Sequence, residues 1–108
     1  MAYCTSDDVL AIVNTDMTAI NIAALIVETD AYMDLKLNTG SLPAMVLRLI
    51  SRLYTAWRVM LKDPVARSIG QYSENRGEGL AQMRAELTLY FAAADGGMSF
   101  TAASDTLA

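Results

Sequence analysis

Apolar positions recur every three to four residues along most of this chain, and four helices can be read from them. The first is short, with Val9, Leu10, Ile12 and Val13 as its apolar side. Thr5 stands before it, with Asp8 three residues on. In that arrangement a hydroxyl and a carboxylate satisfy the N–H groups that a helix start leaves unpaired. Asn14, Thr15 and Asp16 end the pattern. The second helix is expected over residues 19–37, with Thr18 as its cap. Ile22, Leu25, Ile26, Thr29, Met33 and Leu37 follow helical spacing as its buried stripe, and Tyr32 sits beside them. Asp30 and Asp34, one turn apart, share a flank. Residues 38–42 read as a turn, with Gly40 suited to a left-handed backbone position.

The third helix carries the clearest pattern. Pro43 fits a first turn, where its missing N–H costs nothing. The helix is expected to reach about Lys62, because Pro64 disfavours helical geometry at Asp63. Val46, Leu49, Ile50, Leu53, Tyr54, Trp57, Met60 and Leu61 share one face. Arg48, Ser51, Arg52, Thr55, Arg58 and Lys62 occupy the other. This predicts a central core helix with one basic side, and with Trp57, Leu53 and Ile50 buried. Residues 68–73 alternate loosely, as a short extended excursion or hairpin tip would. The fourth helix is expected to start near Asn75, with Glu78 near its beginning. Leu80, Met83, Leu87, Tyr90, Phe91 and Ala94 form its buried stripe, while Leu89 points the other way and is a candidate contact residue. Gly96-Gly97 should stop it. The expected organisation is an all-α domain over residues 1–97: a small bundle of four helices around the third, with a short extended excursion before the last. A tail, 98–108, holds only Met98, Phe100 and Leu107 as anchors and is expected to be mobile in a free subunit.

Composition adds a surplus of apolar groups. At 108 residues and 54% hydrophobic, the chain is too small to hide them all, so some apolar surface is expected to meet a partner, the alternative being an Ala-rich helical protein with ordinary exposed alanines. Charge adds a segregation. Residues 1–35 hold six acidic groups and no basic one, whereas residues 36–67 hold six basic groups against the single acid Asp63. A protein that packs against copies of itself can use such sorting, an acidic flank on one copy meeting a basic flank on the next. The net charge of −4 argues against nucleic-acid binding by the molecule as a whole. A single cysteine and no histidine exclude an internal disulfide and the usual zinc sets, and remove the commonest general base. No signal peptide is expected, and the longest apolar run, residues 19–27, contains Asn21 and is too short to span a bilayer.

Candidate chemistry is thin. The stripe of Arg48, Arg52, Arg58 and Lys62 is open to three readings: a solvated face, a contact with an acidic protein neighbour, or a contact with nucleic acid. No aromatic is interleaved on that face to stack a base. Asp30 and Asp34 are the nearest approach to a catalytic pair, but a metal or proton-sharing site needs more oxygen ligands or a shielded cleft. A solvated or interfacial acidic flank is the expectation there. Cys4 lacks a histidine partner and CxxC spacing and reads as a buried or incidental thiol. No catalytic, cofactor or metal residues are assigned.

The order of these elements resembles a known family. Tyr3-Cys4-Thr5-Ser6-Asp7-Asp8-Val9 is similar to the T-x-x-D-[LV] opening of tailed-phage head–tail adaptor (connector) proteins. Ile22-x-x-Leu25-Ile26 through Asp30, Met33-Asp34 and Leu37 is similar to their LI-x-x-A-x-x-x-I-D-x-x-L segment. Pro43 with its long apolar helix resembles their third element, and Ser68-Ile69-Gly70-Gln71-Tyr72-Ser73 the S-I-G-D-Y-S before their last helix. The likeness covers about residues 3–95; Thr29, Ala31 and Gln71 depart from it. The resemblance implies a non-enzymatic virion protein at the neck, made in the host cytoplasm, needing no cofactor and no membrane. Its copies would form a ring between the portal protein and the tail or stopper protein, around a channel through which DNA passes without sequence recognition. The alternative is a small helical nucleic-acid-binding or regulatory module that uses the basic helix face.

Overall fold

In a computed structural model, which describes residues 2–68 and 75–95, the sequence follows its hydrophobic period closely. Helix α1, Ser6–Leu10, begins at a complete capping box. Asp8 N–H donates to Thr5 Oγ1, and Thr5 N–H donates to Asp8 Oδ2 at 2.9 Å. Helix α2, Ala19–Lys36, starts where the Thr18 hydroxyl accepts from Asn21 N–H. A single 3-10 turn, Thr39–Ser41, leads to α3, Ala44–Lys62, with Pro43 at its cap. Asp63 ends α3 in an extended conformation, as a residue before proline should. Its carboxylate then accepts from Val65 N–H and from the Thr15 hydroxyl, which ties the loop after α1 to the end of α3. Helix α4, Arg76–Asp95, opens with Glu78 N–H donating to Asn75 Oδ1.

The domain is all-α, with α3 at its centre. Both α2 and α4 pack along α3 and barely touch each other, while α1 lies against α2 and α3. Two-residue strands β1, Val13–Asn14, and β2, Arg67–Ser68, pair antiparallel, with Val13 opposite Ser68. β2 is the described part of the expected excursion; most of the segment 68–73, the Gly96-Gly97 stop and the tail 98–108 lie outside the described residues. The molecule is flat, 38 × 31 × 18 Å, as expected for three long helices side by side with a thin covering on one face.

The core divides in two. Val9, Val13, Ile22, Ile26, Leu53, Ala56, Val59, Met60 and Met83 make the larger part, and Met33, Leu37, Val46, Ile50 and Ala94 the smaller. Ile50 and Leu53 are fully enclosed, but Trp57 is not: it stands half-buried at the rim of the core, with one edge in a groove. Leu61, expected on the inner face, is exposed.

The largest departure from the pattern is on α3. Ser51 and Thr55, expected among the basic residues, are completely buried. They face α2, where Thr55 Oγ1 meets Thr29 Oγ1 at 3.2 Å and Ser51 Oγ donates to Asp30 Oδ1 at 2.6 Å. Small hydroxyls can lie between two close helices once each has a partner, and the partners sit 21 and 26 residues away in sequence. The apolar surface of α3 is therefore interrupted by a polar seam toward α2.

Candidate interaction surfaces

The acidic flank of α2 is not a single surface. Asp30 is buried, at 5% exposure, rather than on a solvated flank. Beyond Ser51, it accepts Tyr3 N–H at 2.8 Å. Cys4 Sγ lies 3.2 Å from Ser51 Oγ, so the first residues of the chain are strapped across α2 and α3 by one connected set of polar groups. Burial pushes the Cys4 thiol up, with the Ser51 hydroxyl opposing. Asp34 lies on the exposed side of the same strap. It accepts from the Tyr3 hydroxyl and from Thr39 Oγ1, and these bonds hold its carboxyl below the ordinary carboxylate range. The Tyr3 phenol is raised in turn, first by its bond to Asp34. The two carboxylates one turn apart thus serve two different parts of the fold.

Half of the basic stripe is paired inside the subunit. Arg48 makes a two-pronged contact with Asp8, Nη2 to Oδ1 at 2.6 Å and Nε to Oδ2 at 3.3 Å. The bond to Arg48 and the Thr5 N–H hold the Asp8 carboxyl below its usual value. Arg58 Nη2 reaches Glu28 Oε1 at 3.0 Å. The sorting of charge along the chain is thus partly consumed by α3 lying against the acid-bearing α1 and α2. Arg52 is half-buried near the Tyr90 phenol, and Lys62 is exposed; neither has an ion pair among the described residues.

Two features were not legible as sites. One is a groove over the α2–α3–α4 junction. Tyr32, Tyr54, Trp57 and Phe91 form its floor in edge-to-face contacts, with ring centroids 5.4–6.1 Å apart. Its two main lobes hold about 400 and 470 Å³. Arg84 stands in one lobe, Arg58 and Lys62 in the other, and Lys36 lies 5.8 Å above the Tyr32 ring. Aromatics therefore do adjoin part of the basic stripe, contrary to the helical-wheel expectation, because α2 and α4 bring two of the four rings.

The other feature is the outer face of α2. Ile20, Val27 and Leu35 are 82%, 65% and 80% exposed, and Ala23, Ala24 and Ala31 between them are exposed too. Positions 20, 24, 27, 31 and 35 form a second helical stripe opposite the buried one. Its spacing was present in the sequence, masked by the stronger inner stripe. On α4, Leu89 is 62% exposed, as expected, beside exposed Ala81, Ala85 and Ala92.

Among the described residues, no His, Cys, Asp and Glu side chains gather in a group of three or more able to hold a metal ion, and no helix is long and apolar enough to cross a membrane. Comparison with protein-family models, with curated proteins and with solved structures gives no match in any of the three.

Proposed function

We propose that this chain is a structural subunit that assembles with its own copies into a ring, as the head–tail adaptor of a tailed phage. The observation that carries the assembly half of this reading is the outer face of α2. An 18-residue helix that turns isoleucine, valine and leucine to solvent on one side, while burying a full apolar stripe on the other, needs a second neighbour. The adaptor half rests on the four sequence resemblances, in order along residues 3–95. In this reading the protein sits at the virion neck, with the portal protein on one side and the tail or stopper protein on the other, and DNA crosses its channel without being read. Electron microscopy of the purified protein, alone and with a portal, tests it. Rings are expected, and a chain that stays monomeric in both preparations overturns it.

One observation favours a second reading. Lys36, Arg58, Lys62 and Arg84 stand around an aromatic floor, which is the composition of a groove for a single nucleic-acid strand. Against it, the Tyr54 ring is already met by three other rings and the Tyr32 face by Lys36, so little flat ring surface remains for a base. Salt-dependent binding of non-specific DNA by the isolated subunit would favour this reading.

A further inference from the structure

We infer that the subunits join by laying the outer face of α2 from one copy against the outer face of α4 from the next. This inference rests on the assembly reading above and names the surfaces that would perform it.

Three observations carry it. The first is area. Ile20, Val27 and Leu35 leave 82%, 65% and 80% of their surface exposed along one stripe of α2, with exposed Ala24 and Ala31 between them. A contiguous apolar patch of this kind marks an interaction site, and a polar rim around it would complete an interface. The second is shape. The α2 face carries large side chains separated by small ones, spread over about 22 Å of helix. The α4 face is the reverse. Ala81, Ala85 and Ala92 leave shallow places over about 16 Å, and Leu89 is the one large projection. Large groups of one helix can seat over the alanines of the other, and Leu89 can seat over Ala24 or Ala31.

The third is position. The hydroxyls of Ser51 and Thr55 point to α2, while α4 packs on another side of α3. The two outer helices approach each other above α3, where Tyr32 meets Phe91. Their outer faces thus look away from α3 in different directions. Pairing α2 with α2 would leave every α4 face uncovered, and pairing α4 with α4 would do the same to α2. A single repeated α2-to-α4 contact covers both. Because the two faces differ, it is heterologous, and such a contact makes a ring when its rotation closes.

Two sets of variants test the inference. Val27→Glu, Leu35→Glu and Ala85→Glu place carboxylates at positions that are exposed in the subunit, so each should melt like the parent. Each is expected to lower the assembled fraction in sedimentation by at least about tenfold, since a lone charge is poorly tolerated in the centre of an interface. Val27→Cys protein mixed with Ala85→Cys protein should form a mixed disulfide-linked dimer under mild oxidation. Either protein alone should not, and Cys4 is buried and contributes no background.

Parental rings that persist in Val27→Glu, or in Ala85→Glu, overturn the inference and leave the adaptor reading standing. Val27→Cys protein that cross-links to itself overturns it in favour of an α2-to-α2 dimer. A Val27→Cys thiol in the monomer that becomes reactive only when residues 98–108 are removed overturns it in favour of the tail as the occupant. A parent that forms no assembly, alone or with a portal, removes the inference and the adaptor reading together.

Discussion

Helix α2 carries an apolar stripe on each of two sides, and the buried one is interrupted by polar groups. The face against α3 carries Thr29 and Asp30 among its aliphatics, both buried and both hydrogen-bonded. The face toward solvent carries Ile20, Val27 and Leu35. In a helix that packs on one side only, positions such as 20, 27 and 35 are ordinarily polar. The difference shows two constraints acting on one helix. The inner face must fix a single register against α3, and hydrogen bonds do this better than interchangeable methyl groups. Among the described residues the outer face has no such partner, so its hydrophobicity is expected to contribute little to folding of the monomer.

Matched truncations on the two faces give the largest expected contrast. Ile26→Ala, at a position 2% exposed, should destabilise the subunit by about 2–5 kcal/mol through lost transfer energy and a residual cavity. Ile20→Ala, at 82% exposure, should stay within about 0.5 kcal/mol. Chemical denaturation of the two proteins under conditions that keep them monomeric checks both. Equal losses would mean that the outer face is covered within one chain.

A smaller effect tests the polar seam. Ser51→Ala removes the donor to Asp30 Oδ1 and leaves a buried carboxylate under-satisfied, at an expected cost of about 1–3 kcal/mol. Thr55→Val, which loses a neutral bond to Thr29 and keeps the shape, should cost less than Ser51→Ala in the same unfolding measurement. If the order is reversed, Asp30 is not the anchor of the seam.

The surface pairs should matter least. Arg58→Ala breaks the contact with Glu28 and is expected to cost about 0.2–1 kcal/mol, shrinking as salt is added. At the other rim, Asp8 should appear in the acid limb of stability. Its folded carboxyl is held below the unfolded value, so its contribution is complete above about pH 5 and disappears as pH falls through the folded value. Melting temperature against pH for Asp8→Asn should run parallel to, and below, the parent from pH 5 to 8, and the two curves should converge below about pH 4. A constant gap down to pH 2 would remove Asp8 from the acid response.

Those contrasts also mark how far the sequence could be read. Helix starts were legible because their signals are local: Thr5 with Asp8, Thr18, Pro43 and Asn75 act within four residues of themselves. The centrality of α3 was legible because its apolar positions, Val46 to Met60, recur over the length of the helix on one face. The inward turn of Ser51 and Thr55 was not, since each is polar until its partner on α2 is known. The basic stripe was read as one surface but divides by neighbour, with Arg48 answering to α1 and Arg58 to α2. The aromatic groove escaped notice because its floor is assembled from three helices, and no window of sequence contains it.

The strap at the start of the chain has a practical consequence. Cys4 is the only thiol in the protein, it is buried, and its position beside Ser51 depends on Tyr3 staying docked on Asp30. A thiol reagent can reach it only when the segment ahead of α1 lifts from α2 and α3. The labelling rate of Cys4 in the unmodified protein therefore reads the opening of that segment directly, against a background of zero other sites. The same experiment repeated on assembled material would report whether neighbouring copies clamp the strap, without any engineered probe.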